Sequence, residues 1–269
     1  MGYFTIIRPV NCAITFISVL VGAWIGRSLV ISPQLILAGM IGFVVCGFGN
    51  IVNDLYDIEI DRINNPNRPL PKGIVSKGII QLLAILLSVI SILFSISLGT
   101  IPFILVLAVV ILLFLYACYF KRTIAANIII SFITALSFVF GGIVVRNPAC
   151  LYPFFFSLFI HMPREIIKDA IDVNGDRAHA IKSFPILLGK KRSLNISAMF
   201  LGTLCILLPL PYIMNTLGLR YIIIVTLFAY PIVIYCILRL LKTPIESEQK
   251  RLSTLLKISM VVGLVAMVV

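Results

Sequence analysis

Negative charge is scarce in this chain: ten Asp and Glu among 269 residues, against 22 Lys and Arg. Charged residues of both signs make up 12%, about half of the roughly 25% usual in a soluble domain. Hydrophobic residues fill the difference, at 61% of the chain and a mean hydropathy of +1.13. A soluble fold with so little polar surface would aggregate. The scarcity therefore excludes an ordinary water-soluble domain and makes the bilayer the solvent. Paired cysteine motifs are missing as well. Cys12, Cys46, Cys118, Cys150, Cys205 and Cys236 are scattered, most of them inside apolar runs, which excludes a CxxC metal site and reads as small apolar filler. No basic tract interleaved with aromatics accompanies the net charge of +12, so nucleic acid is excluded as a partner. No small-residue cleavage site ends the first apolar stretch after Arg8, so that stretch reads as a retained helix rather than a leader.

What is present is a succession of apolar runs near 10–30, 34–56, 78–98, 101–120, 124–145, 150–172, 193–213, 220–241 and 252–269. Each is long enough to cross a hydrocarbon core of about 30 Å. The sequence thus predicts an all-α, multi-pass membrane protein of nine spans in a single domain over residues 1–269. Gly99–Pro102 marks a tight turn between the third and fourth spans. The basic residues set the orientation. With the N-terminus in the cytoplasm, only Arg27, Arg146 and Arg220 fall outside, leaving 19 of the 22 inside. The C-terminus is then expected outside.

The few acids carry a sharper message. Eight of the ten lie in two short stretches: Asp54, Asp57, Glu59 and Asp61, then Glu165, Asp169, Asp172 and Asp176. Asn50, Asp54, Asp57 and Asp61 recur, 115 residues later, as Glu165, Asp169, Asp172 and Asp176, and Arg62 recurs as Arg177. A proline-containing basic segment follows both. This predicts two related four-helix halves, about 33–145 and 148–269, after an extra first helix. Offsets of 0, 4, 7 and 11 place the side chains in one stripe of a helix. Carboxylates on one face repel, and a cation offsets the repulsion. Oxygen ligands without nearby His or Cys select a hard ion, Mg²⁺ first, which is usually shared between carboxylates and substrate phosphates. Two facing stripes, each at the cytoplasmic end of a span, then form a cage for a diphosphate. The first stretch is expected as a clean helical stripe. In the second, Asn174 and Gly175 are expected to end the helix and leave Asp176 on a loop.

The metal ligands proposed on this pattern are Asn50, Asp54, Asp57, Asp61, Asp169, Asp172 and Asp176. Arg68, Lys72, Lys121, Arg122, Lys168 and Lys182 supply basic groups for phosphate oxygens. Asp54, Asp57, Asp172 and Lys121 are the candidate catalytic groups. Arg8 and Asn11 are candidates for the acceptor, Asn53 is a candidate substrate contact, and Tyr116 or Tyr119 is a candidate cation–π partner.

These residues resemble a known family. Asn53-Asp54-Leu55-Tyr56-Asp57-Ile58-Glu59-Ile60-Asp61 is similar to the NDxxDxxxD motif of the UbiA-type intramembrane prenyltransferases, and Asp172-Val173-Asn174-Gly175-Asp176 to their DxxxD motif. The resemblance extends over essentially the whole chain. It implies a helical bundle around a central cavity that opens laterally to lipid, with Mg²⁺ held by both motifs through an isoprenoid diphosphate. Ile7-Arg8-Pro9-Val10-Asn11, Gly49-Asn50-Ile51-Val52-Asn53-Asp54 and Asn64-Asn65-Pro66-Asn67-Arg68-Pro69-Leu70-Pro71 are most similar to the branch that makes archaeal ether phospholipids. That branch implies transfer of a geranylgeranyl group to the sn-2 hydroxyl of geranylgeranylglyceryl phosphate. The family's YxxxK pattern is absent: Tyr116 and Tyr119 stand five and two residues before Lys121. Two other readings compete: prenylation of an aromatic acceptor in quinone-type synthesis, and a cation-coupled transporter. Transport predicts acids at mid-bilayer, whereas these sit at span ends beside basic loops.

Overall fold

The structure, a computed structural model, describes residues 2–27, 30–178 and 180–269, the side chains of Gly2, Tyr3 and Asn64 not included. Among the described residues there is no strand, and the chain is 82% helical. In chain order the helices are α1 (Gly2–Ile7), α2 (Pro9–Trp24), α3 (Pro33–Tyr56), α4 (Ile58–Asn64), α5 (Lys77–Ile96), α6 (Thr100–Cys118) and α7 (Ala126–Val145). They continue with α8 (Leu151–Ala178), α9 (Phe184–Leu188), α10 (Lys190–Leu207), α11 (Leu210–Ile213), α12 (Leu219–Ile224), α13 (Tyr230–Leu241) and α14 (Glu246–Ala266). A π-turn, Val225–Ala229, joins α12 to α13.

The boundaries follow local chemistry. Pro9 and Pro33 occupy first turns, where the missing N–H costs nothing. Ser32 caps α3 by accepting from the Leu35 N–H at 3.2 Å. At Gly99 φ is 109°, a conformation that favours glycine, and it closes the expected turn between α5 and α6. Asn147 closes the α7–α8 junction: its Nδ2 donates to the Ala23 and Ile25 carbonyls at 3.0 and 2.8 Å. Two carbonyls at the end of α2 are thereby satisfied in a buried setting.

The nine expected runs are largely helical, the run 193–213 being divided between α10 and α11 and the run 220–241 between α12, the π-turn and α13, and the first extends over residues 28 and 29, outside the described residues. Among the described residues, seven helical stretches are both long and apolar enough to cross a membrane. α8 and α14 are not among the seven. Their 28 and 21 residues are long enough, but they carry charged side chains within their length.

The bundle is built around α3, which packs on α2, α5, α6 and α7. Its apolar window is 67% buried, against 22% for the peripheral α5. On α5, Leu82, Ile85, Leu86, Val89 and Leu93 are all exposed, a face suited to lipid and not to water. α2 and α7 come into backbone contact. A Cβ at Gly22 would lie 2.0 Å from the Phe138 carbonyl oxygen, and one at Gly141 would lie 1.8 Å from that of Val19. Small residues at such crossings are how helices pack where the solvent is itself apolar. Buried residues gather mainly into two clusters, one drawn largely from α3, α5 and α6, the other from α8, α10, α13 and α14.

Two local expectations are corrected. The first acidic stretch is not one unbroken helix. α3 ends at Tyr56, Asp57 has φ −96° and ψ 3°, and α4 starts at Ile58. The i→i−4 bonds from Asp57 and Asp61 survive on either side at 3.0 and 2.7 Å, so the break is a bend. It separates like charges that a straight stripe would stack. The second stretch shows the reverse. α8 runs on through Asn174 and Gly175 to Ala178, and Asp176 is helical. Gly175 and Asp176 are both buried there, and this packing overrides the weak helix propensity of Asn-Gly.

Candidate active site

Pro9 disfavours right-handed helix at the residue before it, and Arg8 takes a left-handed conformation with φ 56° and ψ 65°. That turn at the α1–α2 junction lays its guanidinium against Asp54, on the last turn of α3. Asp54 is 3% exposed. Arg68, from the loop after α4, donates to Asp61 at 2.5 Å and to Asp54 at 3.3 Å, so one planar cation serves two carboxylates seven residues apart. Lys121, just beyond α6, pairs with Asp57. Each of the three buried aspartates of the first stretch thus has a cation brought from elsewhere in the chain. Glu59 points outward and pairs with the exposed Arg62 at 2.8 Å.

The second stretch is arranged differently. Glu165 accepts from Arg164 at 3.1 Å and from Lys168 at 2.7 Å. Asp169 accepts from the Asn127 amide of α7 at 2.8 Å. Among the described residues, Asp169, Asp172 and Asp176 form no ion pair within 4.0 Å.

Both stretches border a cavity of ≈ 820 Å³, within the range of sites that hold sizeable ligands. Asp61, Asp169, Asp172 and Asp176 line it together with Arg8, Arg68 and Lys121. Asp54 and Asp57 are not on its wall but pair with Arg8, Arg68 and Lys121, which are. The walls beyond the charged end are apolar: Ile41, Val45 and Val106 on one side, Phe156, Met260 and Leu264 on another. Of the residues expected from sequence, Asn11, Asn50, Asn53, Tyr116 and Lys168 also line the cavity. The Asn50 amide donates to the Ile7 carbonyl at 2.9 Å, while Asn53 Oδ1 is buried without a partner. Tyr116 is 6% exposed, whereas Tyr119, past the end of α6, is 68% exposed and is not on the cavity wall. Lys72, Arg122 and Lys182 do not line the cavity either. Arg122 and Lys182 meet through the backbone, the Lys182 N–H donating to the Arg122 carbonyl at 3.0 Å.

Sequence reasoning missed Asn127, His161, Arg164 and Lys257, all on the cavity wall. His161 and Lys257 carried a usable signal, being ionisable groups inside spanning-length helices. Asn127 carried none, since its role depends on Asp169 of the next helix.

Among the described residues, no three His, Cys, Asp or Glu side chains converge on a ready-made cation cage. The donor set nonetheless fits Mg²⁺, which binds through one or two carboxylates and leaves the rest of its shell to water and substrate phosphate. Among the described residues, Asp169, Asp172 and Asp176 offer oxygens that no cation pairs with.

A helical membrane bundle with a charged mouth and apolar walls defines a class: proteins that act on lipids with an anionic head. The comparisons carry this further. The chain belongs to the UbiA prenyltransferase family, which matches residues 15–261, and it is a prenyltransferase. It is 36% identical over 260 residues to digeranylgeranylglyceryl phosphate synthase of Methanococcus maripaludis strain C6, covering 96% of this chain and 93% of the relative. A solved structure of digeranylgeranylglyceryl phosphate synthase in membranes is 32% identical, with a TM-score of 0.82 over 99% of this chain and 96% of that one. A UbiA homolog from Archaeoglobus fulgidus bound to DMAPP and Mg²⁺ shares the fold, at 18% identity and a TM-score of 0.71 over 100% of both chains.

Proposed function

We propose that the chain transfers a geranylgeranyl group from geranylgeranyl diphosphate to the sn-2 hydroxyl of geranylgeranylglyceryl phosphate, releasing diphosphate, with Mg²⁺ as cofactor. The observation that carries this reading is the meeting of the two acidic stretches at one cavity with apolar walls. The likeness to synthases of this name over almost the whole chain supports the acceptor.

In this reading Asp169, Asp172 and Asp176, with Asp61 and the first stretch, hold the metal. When bound, Mg²⁺ supplies positive charge against the departing diphosphate. Arg68 and Lys121 donate to its oxygens and hold charge where it develops. The bond from donor C1 to the diphosphate oxygen breaks with its electron pair going to the diphosphate. A bond from C1 to the sn-2 oxygen forms, and the hydroxyl proton leaves to a carboxylate or to the diphosphate. Tyr116 presents its ring to the cavity and stabilises the allylic cation. The buried walls exclude water, which would otherwise capture that cation.

The same reading takes α8 and α14 as spans, giving nine, with the N-terminus and the site cytoplasmic and the C-terminus outside. The two separate core clusters support two halves of four long helices after α2.

The test is turnover by reconstituted protein given radiolabelled geranylgeranyl diphosphate, Mg²⁺ and either geranylgeranylglyceryl phosphate or an aromatic acceptor. Digeranylgeranylglyceryl phosphate and free diphosphate are expected. EDTA should stop the reaction and Mg²⁺ restore it. Asp54→Asn and Asp172→Asn should each lose at least ~100-fold, the scale of a lost electrostatic group at a reacting centre, with expression intact. Product on the aromatic acceptor alone, or binding without diphosphate release, overturns the assignment.

A further inference from the structure

A second group of cations stands on the cavity wall apart from Arg8, Arg68 and Lys121. Arg164 and Lys168 project from α8, and Lys257 from α14, which packs against it. Glu165 is the acid placed among them, paired with Arg164 at 3.1 Å and Lys168 at 2.7 Å. Lys257 lies within electrostatic reach of all three. Among the described residues it forms no ion pair of its own. The next acids along α8, Asp169 and Asp172, belong in the functional reading to the metal. One carboxylate against three cations leaves a positive surplus. Arg164 is 16% exposed at its side chain, and its Nε is buried with no hydrogen-bond partner among the described residues. The first group of cations has no such surplus, since Asp54, Asp57 and Asp61 engage each member of it.

Surplus charge within a bundle in lipid is costly, and an anion placed between α8 and α14 offsets it. An apolar wall continues from this group. Met260 and Leu264 follow Lys257 at helical spacing along α14, Met267 stands just past its end, and all three line the cavity with Leu204 and Leu208 from the α10 region. A second apolar wall follows α3 away from Asn53, through Gly49, Val45 and Ile41. The cavity wall therefore carries two groups of cations from different helices, with apolar residues continuing along the helix beside each.

We propose that Arg164, Lys168 and Lys257 bind the phosphate of the acceptor lipid, with the α14 wall receiving its hydrocarbon chain. This rests on the function proposed above and moves the acceptor's head group away from Arg8, whose guanidinium Asp54 engages. A diphosphate at the aspartates and a monophosphate at Lys257 are then read by separate cations, so acceptor selection resides in α8 and α14.

The test is steady-state kinetics of Lys257→Met and Lys257→Arg in reconstituted protein, with each substrate varied in turn. Lys257→Met should raise KM for geranylgeranylglyceryl phosphate about tenfold or more, the scale of a charge-assisted hydrogen bond. KM for geranylgeranyl diphosphate should stay within about twofold, because other cations hold the diphosphate. Lys257→Arg should recover the acceptor KM. With geranylgeranylglycerol, which has no phosphate, wild type and Lys257→Met should share one KM. A rise in donor KM instead, or an unchanged acceptor KM, overturns the subsite while leaving the overall reaction standing. Wild-type protein that makes no product from geranylgeranylglyceryl phosphate overturns the functional reading, and this subsite with it.

Discussion

Asp57 and Lys121 lie 64 residues apart in sequence and meet at the bend between α3 and α4. Asp57 is 5% exposed, so its charge has little water to stabilise it, and Lys121 takes that place. Lys121→Met leaves a buried carboxylate unpaired, a change that costs about 3–5 kcal/mol in dry interiors. The lower end applies here, because the Lys121 side chain is 28% exposed. The variant should therefore unfold at a lower temperature than wild type in detergent. Mg²⁺ with a non-hydrolysable prenyl diphosphate analogue should widen the gap, since a ligand of the folded state adds stability in proportion to its affinity and the variant lacks one diphosphate donor. A thermal-shift series with and without that pair checks both halves of the expectation, and an equal ligand shift in the two proteins would count against a shared site. Such pairings were only partly legible. The sequence placed Asp57 and Lys121 on one side of the membrane, but which cation meets which acid depends on helix packing that has no sequence signature. The tyrosines make the same point. Both Tyr116 and Tyr119 were open candidates; α6 ends at Cys118, Tyr119 beyond it is exposed and off the cavity wall, and Tyr116 lines that wall.

At the scale of elements, the acidic repeat was legible as a spacing but not as a shape. Its offsets promised a straight stripe in the first copy and a broken one in the second, and the structure reverses both. Local propensity misled at Asn174-Gly175 because burial of Gly175 and Asp176 outweighs it. It misled at Asp57 because repulsion among carboxylates acts between side chains and leaves no mark in propensity. The α2–α7 contact was invisible for a similar reason: Gly22 and Gly141 read as ordinary glycines in apolar runs. The structure makes them the points where two backbones touch. Gly141→Ala must push the Val19 carbonyl away, and backbone cannot yield as a flexible side chain does. Overpacking of this kind costs about 1–3 kcal/mol, and in a chain of roughly this size each kcal/mol is worth about 2–4 °C of Tm. Gly202→Ala on α10 is the matched control, since an added Cβ there meets nothing within 4 Å and alanine favours helix. Melting curves should show Gly141→Ala lower by several degrees and Gly202→Ala level or slightly higher. Equal curves would mean that the two helices can separate freely.

For the whole molecule, charge on the cavity wall is what keeps α8 and α14 out of the apolar spans. His161, Arg164, Glu165 and Lys168 interrupt α8, and Lys257 interrupts α14, yet all five line the cavity rather than the lipid-facing side. At 1.5 Å per residue the 28 residues of α8 reach about 42 Å, beyond a core of about 30 Å. Its apolar first part, residues 151–160, covers only about 15 Å, so a crossing takes in the turns as far as about Ala170, whose charged side chains line the cavity, and leaves Asp172 and Asp176 to emerge at the far end. The nine-span arrangement puts the exposed Lys72 inside and the exposed Met214, after α11, outside. If neither α8 nor α14 crossed, every loop between them would change side and Met214 would lie inside, with the C-terminus outside in either arrangement. The C-terminus is therefore uninformative and Met214 is decisive. In a cysteine-free background, Met214→Cys should react with a membrane-impermeant maleimide applied outside intact cells, and Lys72→Cys should react only after the membrane is opened. Protection of Met214→Cys in intact cells would remove α8 from the set of spans. It would also undo the pairing of equivalent cytoplasmic ends, on which the 115-residue repeat of carboxylates depends to face one cavity from both halves.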